Sequence, residues 1–416
     1  MPQRYVIIGG GLAGRETAKQ LRRKNAEAAI TLICEEPHLP YDRPPLSKEY
    51  LQGTKSREEI FLEKPDFYEQ QNIDVRLGAP ADGIDLVAHE VHVGGDVIPF
   101  DKAILATGGT PTKLPIPGAD RTGVFYLRSI DDAEAIGTAA KAGARAVVIG
   151  GGFIGMEVAA TLTTLGVETT VVEEQGHIWS RFLDERLAGF FQDYCSAKGV
   201  AFRCATRVSS IDGADAVTGV TTRSANTDTE PSLDDGQSIP CDFVCIGIGI
   251  RPNVALAEAA GLEVDNGIVV DEFLRTSHPD VYAAGDVVNY PDPYAGRRRV
   301  EHWSHAGYCG RLIAGNLTGD PKPYDFLAFV WSDVFDLALK FAGDAGTFDR
   351  ILVRGEMSSD GFSVLYMNGS RLTGCFSING DVREFAMIKQ LIQKRTDLTG
   401  KDDQLQNRDC DVKTLR

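Results

Sequence analysis

Long apolar runs are missing from this chain. Within its 416 residues, no stretch approaches the roughly 18 to 20 apolar residues that a membrane-crossing helix needs, so no span is expected. Positive charge is also short. Lys and Arg number 43 against 59 Asp and Glu, a net charge of −16. That balance argues against sequence-independent nucleic-acid binding, which depends on cations neutralising phosphates. The eight cysteines are scattered, which suits a reduced cytoplasm better than a disulfide framework. Met1 is followed almost at once by an apolar strand pattern, so neither a signal nor a transit peptide is expected. The 43% hydrophobic and 25% charged residues are ordinary for a globular protein of two or three domains.

What is present is a repeat. Tyr5-Val6-Ile7-Ile8-Gly9-Gly10-Gly11-Leu12-Ala13-Gly14 returns as Ala146-Val147-Val148-Ile149-Gly150-Gly151-Gly152-Phe153-Ile154-Gly155. Each copy is a β-branched run, then G-x-G-x-x-G, then a helical pattern, the context that makes this fingerprint specific. Gly9 and Gly150 permit a tight turn. Gly11 and Gly152 let a pyrophosphate approach the backbone, while Gly14 and Gly155 let the helix pack on its strand. Ala13 and Ile154 line the same turns. The helix N-terminus supplies N–H groups and a positive dipole end. Two such units imply two dinucleotides, and that pairing points to a flavoenzyme taking hydride from a nicotinamide.

The first helix is expected over 15–25, ending in Arg22-Arg23-Lys24, and the second strand over Ile30–Cys34. Glu35-Glu36 follows, and a carboxylate about 20 residues past the glycines is placed to bind ribose hydroxyls. The second unit repeats this with Glu173-Glu174 after Val167–Val172. An acid there accepts the adenosine 2′-OH of NADH and repels the 2′-phosphate of NADPH, and Glu173 is preferred. Residues 73–105 read as a β-meander with a turn at Gly94-Gly95, and Pro111, Pro115 and Pro117 mark a linker. Arg223 to Ser238 reads as a solvated hairpin loop. Cys241 and Cys245 lie in an apolar run without partner ligands, and His302-x-x-His305 lacks a third ligand, so no metal site is expected. From Pro323 the pattern becomes strands, over Phe326–Phe341 and Ile351–Glu356, with a turn at Asn368-Gly369 and a helix over Arg383–Lys394. Sequence beyond Thr396 is polar and reads as mobile.

The loop Pro40-Tyr41-Asp42-Arg43-Pro44-Pro45-Leu46-Ser47-Lys48 resembles the P-Y-x-R-P-P-L-S-K segment of the FAD-dependent NADH:ferredoxin reductases of oxygenase systems, the putidaredoxin reductase-like family, to which apoptosis-inducing factor is related. Ala106-Thr107-Gly108, Leu127-Arg128-Ser129, Gly249-Ile250-Arg251-Pro252-Asn253, Val281-Tyr282-Ala283-Ala284-Gly285-Asp286 and Trp331-Ser332-Asp333 match further family segments in family order. The resemblance implies an α/β fold with two Rossmann-like dinucleotide-binding domains, for FAD and NAD, and a C-terminal α/β domain. The FAD domain would take 1–112 and 242–323, the NAD domain 113–241 and the C-terminal domain 324–416.

It also implies roles. Glu35 and Arg43 would bind the FAD adenosine and phosphates, Thr107 and Gly108 would pass close to the cofactor, and Arg128 would touch FAD. Gly285 and Asp286 would hold the ribityl hydroxyls, and Glu301, His302 and Trp303 would border the flavin ring. Gly249 would lie beside the nicotinamide. Lys48 would lie against the flavin, facing Glu157 across the flavin–nicotinamide gap, and these two are the catalytic candidates. Disulfide reductases of this architecture carry C-x-x-x-x-C on the first helix, and others a single Cys in this loop; neither pattern occurs between Gly14 and Ser56, where Cys34 reads as a buried strand residue. Electrons would therefore pass directly to an iron–sulfur carrier, a ferredoxin. A diffusible-acceptor reductase or NADH oxidase, and a redox sensor like apoptosis-inducing factor, are the competing readings. A homodimer is compatible with the resemblance. Arg297-Arg298-Arg299 reads as a solvated loop or, more sharply, as a docking patch for an acidic carrier.

Overall fold

The computed structural model describes residues 2–225 and 236–415. The chain forms two units, each gathered from three segments. One comprises Met1–Asp42, Ile60–Thr110 and Arg251–Val330; the other comprises Arg43–Glu59, Pro111–Ile250 and Trp331–Arg416.

The first unit is built on a five-stranded parallel sheet in the order Val281–Ala283, Lys102–Leu105, Arg4–Ile8, Ala29–Ile33, Ile73–Arg76. In the central strand Ile7 pairs with Leu32 on one side and Ile104 on the other. Both faces of such a sheet are covered, so the strand is an unbroken apolar run rather than an alternating one, and Ile7, Leu32 and Ile104 are all fully buried. The helix Leu12–Lys24 follows the first strand. Its basic last turn ties down a neighbouring loop, where the Arg22 guanidinium donates to the carbonyls of Gln71 at 2.7 Å and Asn72 at 2.8 Å. This helix packs closely against Trp303–Leu317, where a Cβ on Gly310 would stand 2.7 Å from the Ala13 carbonyl oxygen. Within 73–105, Gly83–Asp85, Glu90–Val93 and Asp96–Pro99 form a separate antiparallel meander turning at Gly94 and Gly95.

The second unit repeats the plan. Its parallel sheet runs Ala201–Arg203, Glu168–Val172, Arg145–Ile149, Phe243–Ile246, Val124–Tyr126, and Val148 pairs with Val171 and Cys245. Again the glycine-motif strand is central, flanked by its successor on one side and a later strand on the other. Ligands of open α/β sheets bind at such a switch point, beyond the carboxyl ends of the strands. Thr206–Asp212, Gly219–Ser224 and Gln237–Pro240 form an antiparallel sheet. The loop expected from Arg223 to Ser238 is framed by the pairing of Thr222 with Gln237, and its positions 226–235 lie outside the described residues.

A further antiparallel sheet has the order Phe329–Val334, Leu337–Gly343, Arg371–Ile378, Phe362–Asn368, Arg350–Arg354, with the helix Val382–Gln393 after it. The run expected as strand over Phe326–Phe341 is broken. Phe335 turns the chain with φ +54, a left-handed conformation rare for a bulky residue, and no Gly or Asn announced it. The tail beyond Thr396, expected to be mobile, is folded instead. Leu398, Leu405, Val412 and Leu415 are buried, and Asp402–Gln406 is helical. Arg354, only 2% exposed, holds this tail by donating to the carbonyls of Leu405 at 3.0 Å, Asn407 at 2.6 Å and Cys410 at 2.7 Å. Among the described residues no helix is long and apolar enough to cross a membrane.

Candidate active site

In the first unit the strand Arg4–Ile8 ends at Gly9, whose φ of +124 only glycine adopts readily. A Cβ on Gly9 would lie 2.1 Å from the Ala106 carbonyl oxygen, and one on Gly14 would lie 2.0 Å from that of Gly9. Gly11 differs: its Cβ would meet nothing within 4 Å. It is the N-cap of Leu12–Lys24, without a side-chain cap and without an acid in the first turn. Two glycines are thus required by protein packing, while the third leaves open space at a helix N-terminus, whose N–H groups and dipole favour an anion. Ala13 is buried at this turn, and the left-handed Gly285 (φ +80) comes so close that its Cβ would sit 3.0 Å from that of Ala13. Asp286 follows in the short turn Gly285–Val287.

Glu35 stands exposed past the second strand and bonds to no other group among the described residues, whereas Glu36 accepts from the Tyr41 hydroxyl. Thr107 is bound inward, its hydroxyl to the Asn253 carbonyl at 2.8 Å, while the Asn253 amide donates to the Thr107 carbonyl at 3.0 Å and its backbone N–H to that of Gly108. Only the backbone of this turn remains to line a cofactor. His302 caps Trp303–Leu317, its Nδ1 accepting from the Ser304 N–H at 3.2 Å. Glu301 pairs with Arg299 at 2.5 Å. Trp303 is 38% exposed and donates its indole N–H to Asp42 at 2.7 Å.

The arginine cluster is partly engaged by internal acceptors, although Arg297 stays exposed. Arg297 donates to the carbonyls of Val270 and Asn289, Arg298 pairs at 2.6 Å with the fully buried Asp292, and Arg299 reaches Glu301 and the Asp286 carbonyl. Arg297 and Arg298 brace the Val288–Asp292 and Gly296–Arg298 hairpin internally, while Arg297 also reaches Val270 and Arg299 reaches Asp286. A charge run carries no sign of which buried acceptors await it, so this role left no mark in the local pattern.

In the second unit the cradle recurs. A Cβ on Gly150 (φ +107) would lie 2.6 Å from the Gly247 carbonyl oxygen and one on Gly155 2.0 Å from that of Gly150, yet one on Gly152 would meet nothing within 4 Å. The helix Phe153–Thr164 that follows is also uncapped and free of acid in its first turn. Glu173 is fixed at both oxygens, accepting from the N–H groups of Gly151 at 2.6 Å and Gln175 at 2.8 Å. Glu174 turns away to pair with Arg207. Ile154 is 47% exposed and Ile248 36%, and the left-handed Gly249 has open space where a side chain would be. Exposed apolar side chains beside an open turn suit a flat aromatic ligand. Ile248 was not among the residues singled out from sequence, although it directly precedes Gly249.

The loop Pro44–Ser47 belongs to this unit and packs on the same helix. Arg43 donates to the main-chain carbonyl of Arg128, just before the capping box that Ser129 and Asp132 make for Ile130–Ala139. The Lys48 ammonium lies 3.1 Å from Glu157 Oε1, with both residues buried. Two groups not singled out from sequence complete this cluster: Ser47 Oγ donates to Glu157 Oε2, and Ser332 Oγ to Oε1 at 2.7 Å. One turn along the helix from Glu157, Thr161 donates to the Ser47 carbonyl at 2.7 Å. Ser47 and Ser332 lie within the P-L-S-K and W-S-D matches, the one trace of them in the sequence.

All eight cysteines are unpaired. Burial, with the Glu36 charge adding to it, pushes the Cys34 thiol up to about 12, and burial does the same for Cys241 and Cys245, so none of these supplies a thiolate near neutrality. Among the described residues one group has metal-ligand spacing, His89, His278 and Asp280. Lys102 sits 2.5 Å from Asp280, and His278 Nδ1 accepts the Asp280 N–H at 3.3 Å.

Residues 3–310 match the family model described as pyridine nucleotide-disulphide oxidoreductase, and residues 329–416 match the reductase C-terminal model. The chain is 38% identical over 411 residues to rhodocoxin reductase of Rhodococcus erythropolis, covering 98% of this chain and 93% of that one. The chain belongs to the pyridine nucleotide-disulphide oxidoreductases, in their ferredoxin reductase branch. Putidaredoxin reductase of Pseudomonas putida is 35% identical, covering 94% of this chain and 92% of the relative. The crystal structure of a covalent putidaredoxin reductase–putidaredoxin complex superposes with a TM-score of 0.91 at 34% identity, covering 99% of this chain and 98% of that one. This ferredoxin-reductase-family chain is an NADH-dependent flavoprotein reductase whose cofactors are FAD and NAD(H), and the two open glycine cradles fit two dinucleotides.

Proposed function

We propose that this reductase draws electrons from NADH and delivers them to a ferredoxin-type iron–sulfur protein that serves an oxygenase. The observation that carries the reading is the pair of dinucleotide cradles on a chain without a dithiol, since no protein thiol stands between the flavin and its acceptor. The curated relatives support it, two of them named as reductases of rhodocoxin and putidaredoxin. FAD held in one cradle would supply the chemistry itself, hydride acceptance from NADH and single-electron release. The protein's part is positioning and charge.

Gly9, Gly11, Ala13 and Gly14 would hold the FAD pyrophosphate, with Arg43 and Arg128 facing its charge. Glu35 would take the ribose hydroxyls and Asp286, presented by Gly285, the ribityl chain. Thr107, Gly108, Glu301, His302 and Trp303 would border the rest of the cofactor. Gly150, Gly152, Ile154, Gly155 and Gly249 would cradle NADH, with Glu173 on its adenosine ribose. Lys48, held by Glu157, would set the electrostatics at the flavin. On this reading 1–112 and 242–323 form the FAD domain, 113–241 the NAD domain and 324–416 the C-terminal domain. Eight unpaired thiols support a reducing, cytoplasmic location.

The test is NADH-dependent cytochrome c reduction with and without a purified [2Fe–2S] ferredoxin from an oxygenase system. The proposal expects turnover to depend steeply on the ferredoxin. Equal rates without it, with oxygen or quinone as the better acceptor, would replace the proposal with a diffusible-acceptor reductase.

A further inference from the structure

We infer that Ser332 and Ser47 form a clamp on Glu157 that positions the Lys48–Glu157 pair, so the reductase C-terminal domain contributes directly to the electrostatics of flavin reduction. The inference rests on the role proposed above for Lys48 and Glu157.

Glu157 is 4% exposed and Lys48 8%. A buried carboxylate has about four acceptor sites, and a single ammonium satisfies only one or two of them. Lys48 alone, 3.1 Å from Oε1, would also leave the carboxylate free to rotate about its last side-chain bond. The serines close both gaps. Ser332 Oγ shares Oε1 with Lys48, at 2.7 Å, and Ser47 Oγ occupies Oε2. Oppositely placed donors fix the plane of the carboxylate and hence the place where Lys48 Nζ is held.

The clamp is itself anchored. Thr161 fixes the Ser47 carbonyl from the helix that carries Glu157. Ser332 lies in the strand Phe329–Val334 and is 1% exposed. A hydroxyl buried to that degree costs free energy unless bonded. Packing alone would be served as well by Ala. The choice of Ser, aimed at the carboxylate paired with Lys48, points to a positioning residue.

The test uses the FAD-loaded protein. Two quantities are measured: the flavin midpoint potential by spectroelectrochemical titration, and the rate of flavin reduction by NADH in anaerobic rapid mixing. Ser332→Ala is expected to shift the potential to more negative values, because the carboxylate charge is less compensated, and to slow reduction about tenfold, the scale of losing a hydrogen bond to a charged group. Ser332→Thr, which keeps the hydroxyl, is expected to restore both. In a Glu157→Ala background, Ser332→Ala is expected to change nothing further. Wild-type potential and rate in Ser332→Ala would overturn the inference, as would an undiminished further loss in the Glu157→Ala background. If Ser332→Ala does not hold FAD, Ser47→Ala, which frees the other oxygen, must show the same negative shift or the clamp is refuted. If Glu157→Ala and Lys48→Ala themselves match the wild type, the underlying role of the pair fails and the clamp fails with it. Slow Glu157→Ala beside unaltered serine variants would remove the clamp alone.

Discussion

On the proposed reading, nucleotide choice turns on Glu173. Two backbone N–H groups fix its position, and Glu174 is engaged by Arg207. Glu173→Ala is therefore expected to lower the preference for NADH over NADPH by about tenfold or more, one tenfold step being about 1.4 kcal/mol. Unchanged ratios of kcat/KM for the two nucleotides would contradict this. His305 supplies a pH prediction. It is fully buried, bonded to the Tyr324 hydroxyl at 2.9 Å and stacked on Tyr290, and burial lowers its pKa from 6.5 to about 4. The unfolded chain thus takes up a proton that the folded chain refuses. Stability from this site is complete above about pH 6.5 and is lost as pH falls toward 4, by up to about 3 kcal/mol. Denaturant unfolding of wild type and His305→Gln at pH 7.5, 5.5 and 4.5 should show their difference move by that order, and a constant difference would refute it. At this scale legibility followed the kind of constraint. Gly9 and Gly14 were readable because a backbone that tolerates no Cβ leaves its mark on residue identity. Ser332 was not, because its partner Glu157 is remote in sequence and a lone Ser says nothing about what it will face.

The cradle elements give a sharper contrast than single side chains. Gly11→Ala puts a methyl into open space, whereas Gly14→Ala puts it 2.0 Å from the Gly9 carbonyl oxygen. The first is expected to fold but to bind FAD weakly, giving pale protein with a normal far-ultraviolet circular dichroism spectrum. The second is expected to lose helix–strand packing and unfold at lower denaturant. Equal behaviour of the two would deny that the open glycine is the phosphate contact. The C-terminal tail is the other element-scale test. Arg354 is the buried anchor for its carbonyls and pairs with Glu384 at 2.7 Å. Arg354→Ala should cost about 3 to 5 kcal/mol, the range for breaking a buried pair, and should open residues beyond Thr396 to proteolysis. A tail still resistant in the variant would refute the anchoring role. Leu398, Leu405, Val412 and Leu415 stand singly in an otherwise polar run, too thin a signal to mark a packed tail, and carbonyl acceptors have no sequence signature at all. Phe335 hid its turn in the same way, by taking a left-handed conformation without the residue that usually marks one. The parallel strands, by contrast, were plain, since burial on both faces demands apolar runs.

At the scale of the whole molecule, two dinucleotide units on one chain make sense only if electrons pass from one nucleotide to the other and then leave. The acidic chain, net −16, has the charges of Arg298 and Arg299 in its one dense arginine cluster paired with Asp292 and Glu301, which leaves less net positive charge there to attract an acidic carrier. The fold class was readable from the repeated glycine motif, and the order of the family segments extended that reading along the chain. What joins those segments was not, because hydrogen bonds between distant loops are set by packing rather than by local pattern. The most direct test of the central claim is anaerobic mixing of the yellow FAD-loaded protein with NADH and, separately, NADPH, following flavin absorbance on the millisecond scale. Full bleaching, much faster with NADH, is the predicted result. No bleaching with either nucleotide would contradict the account.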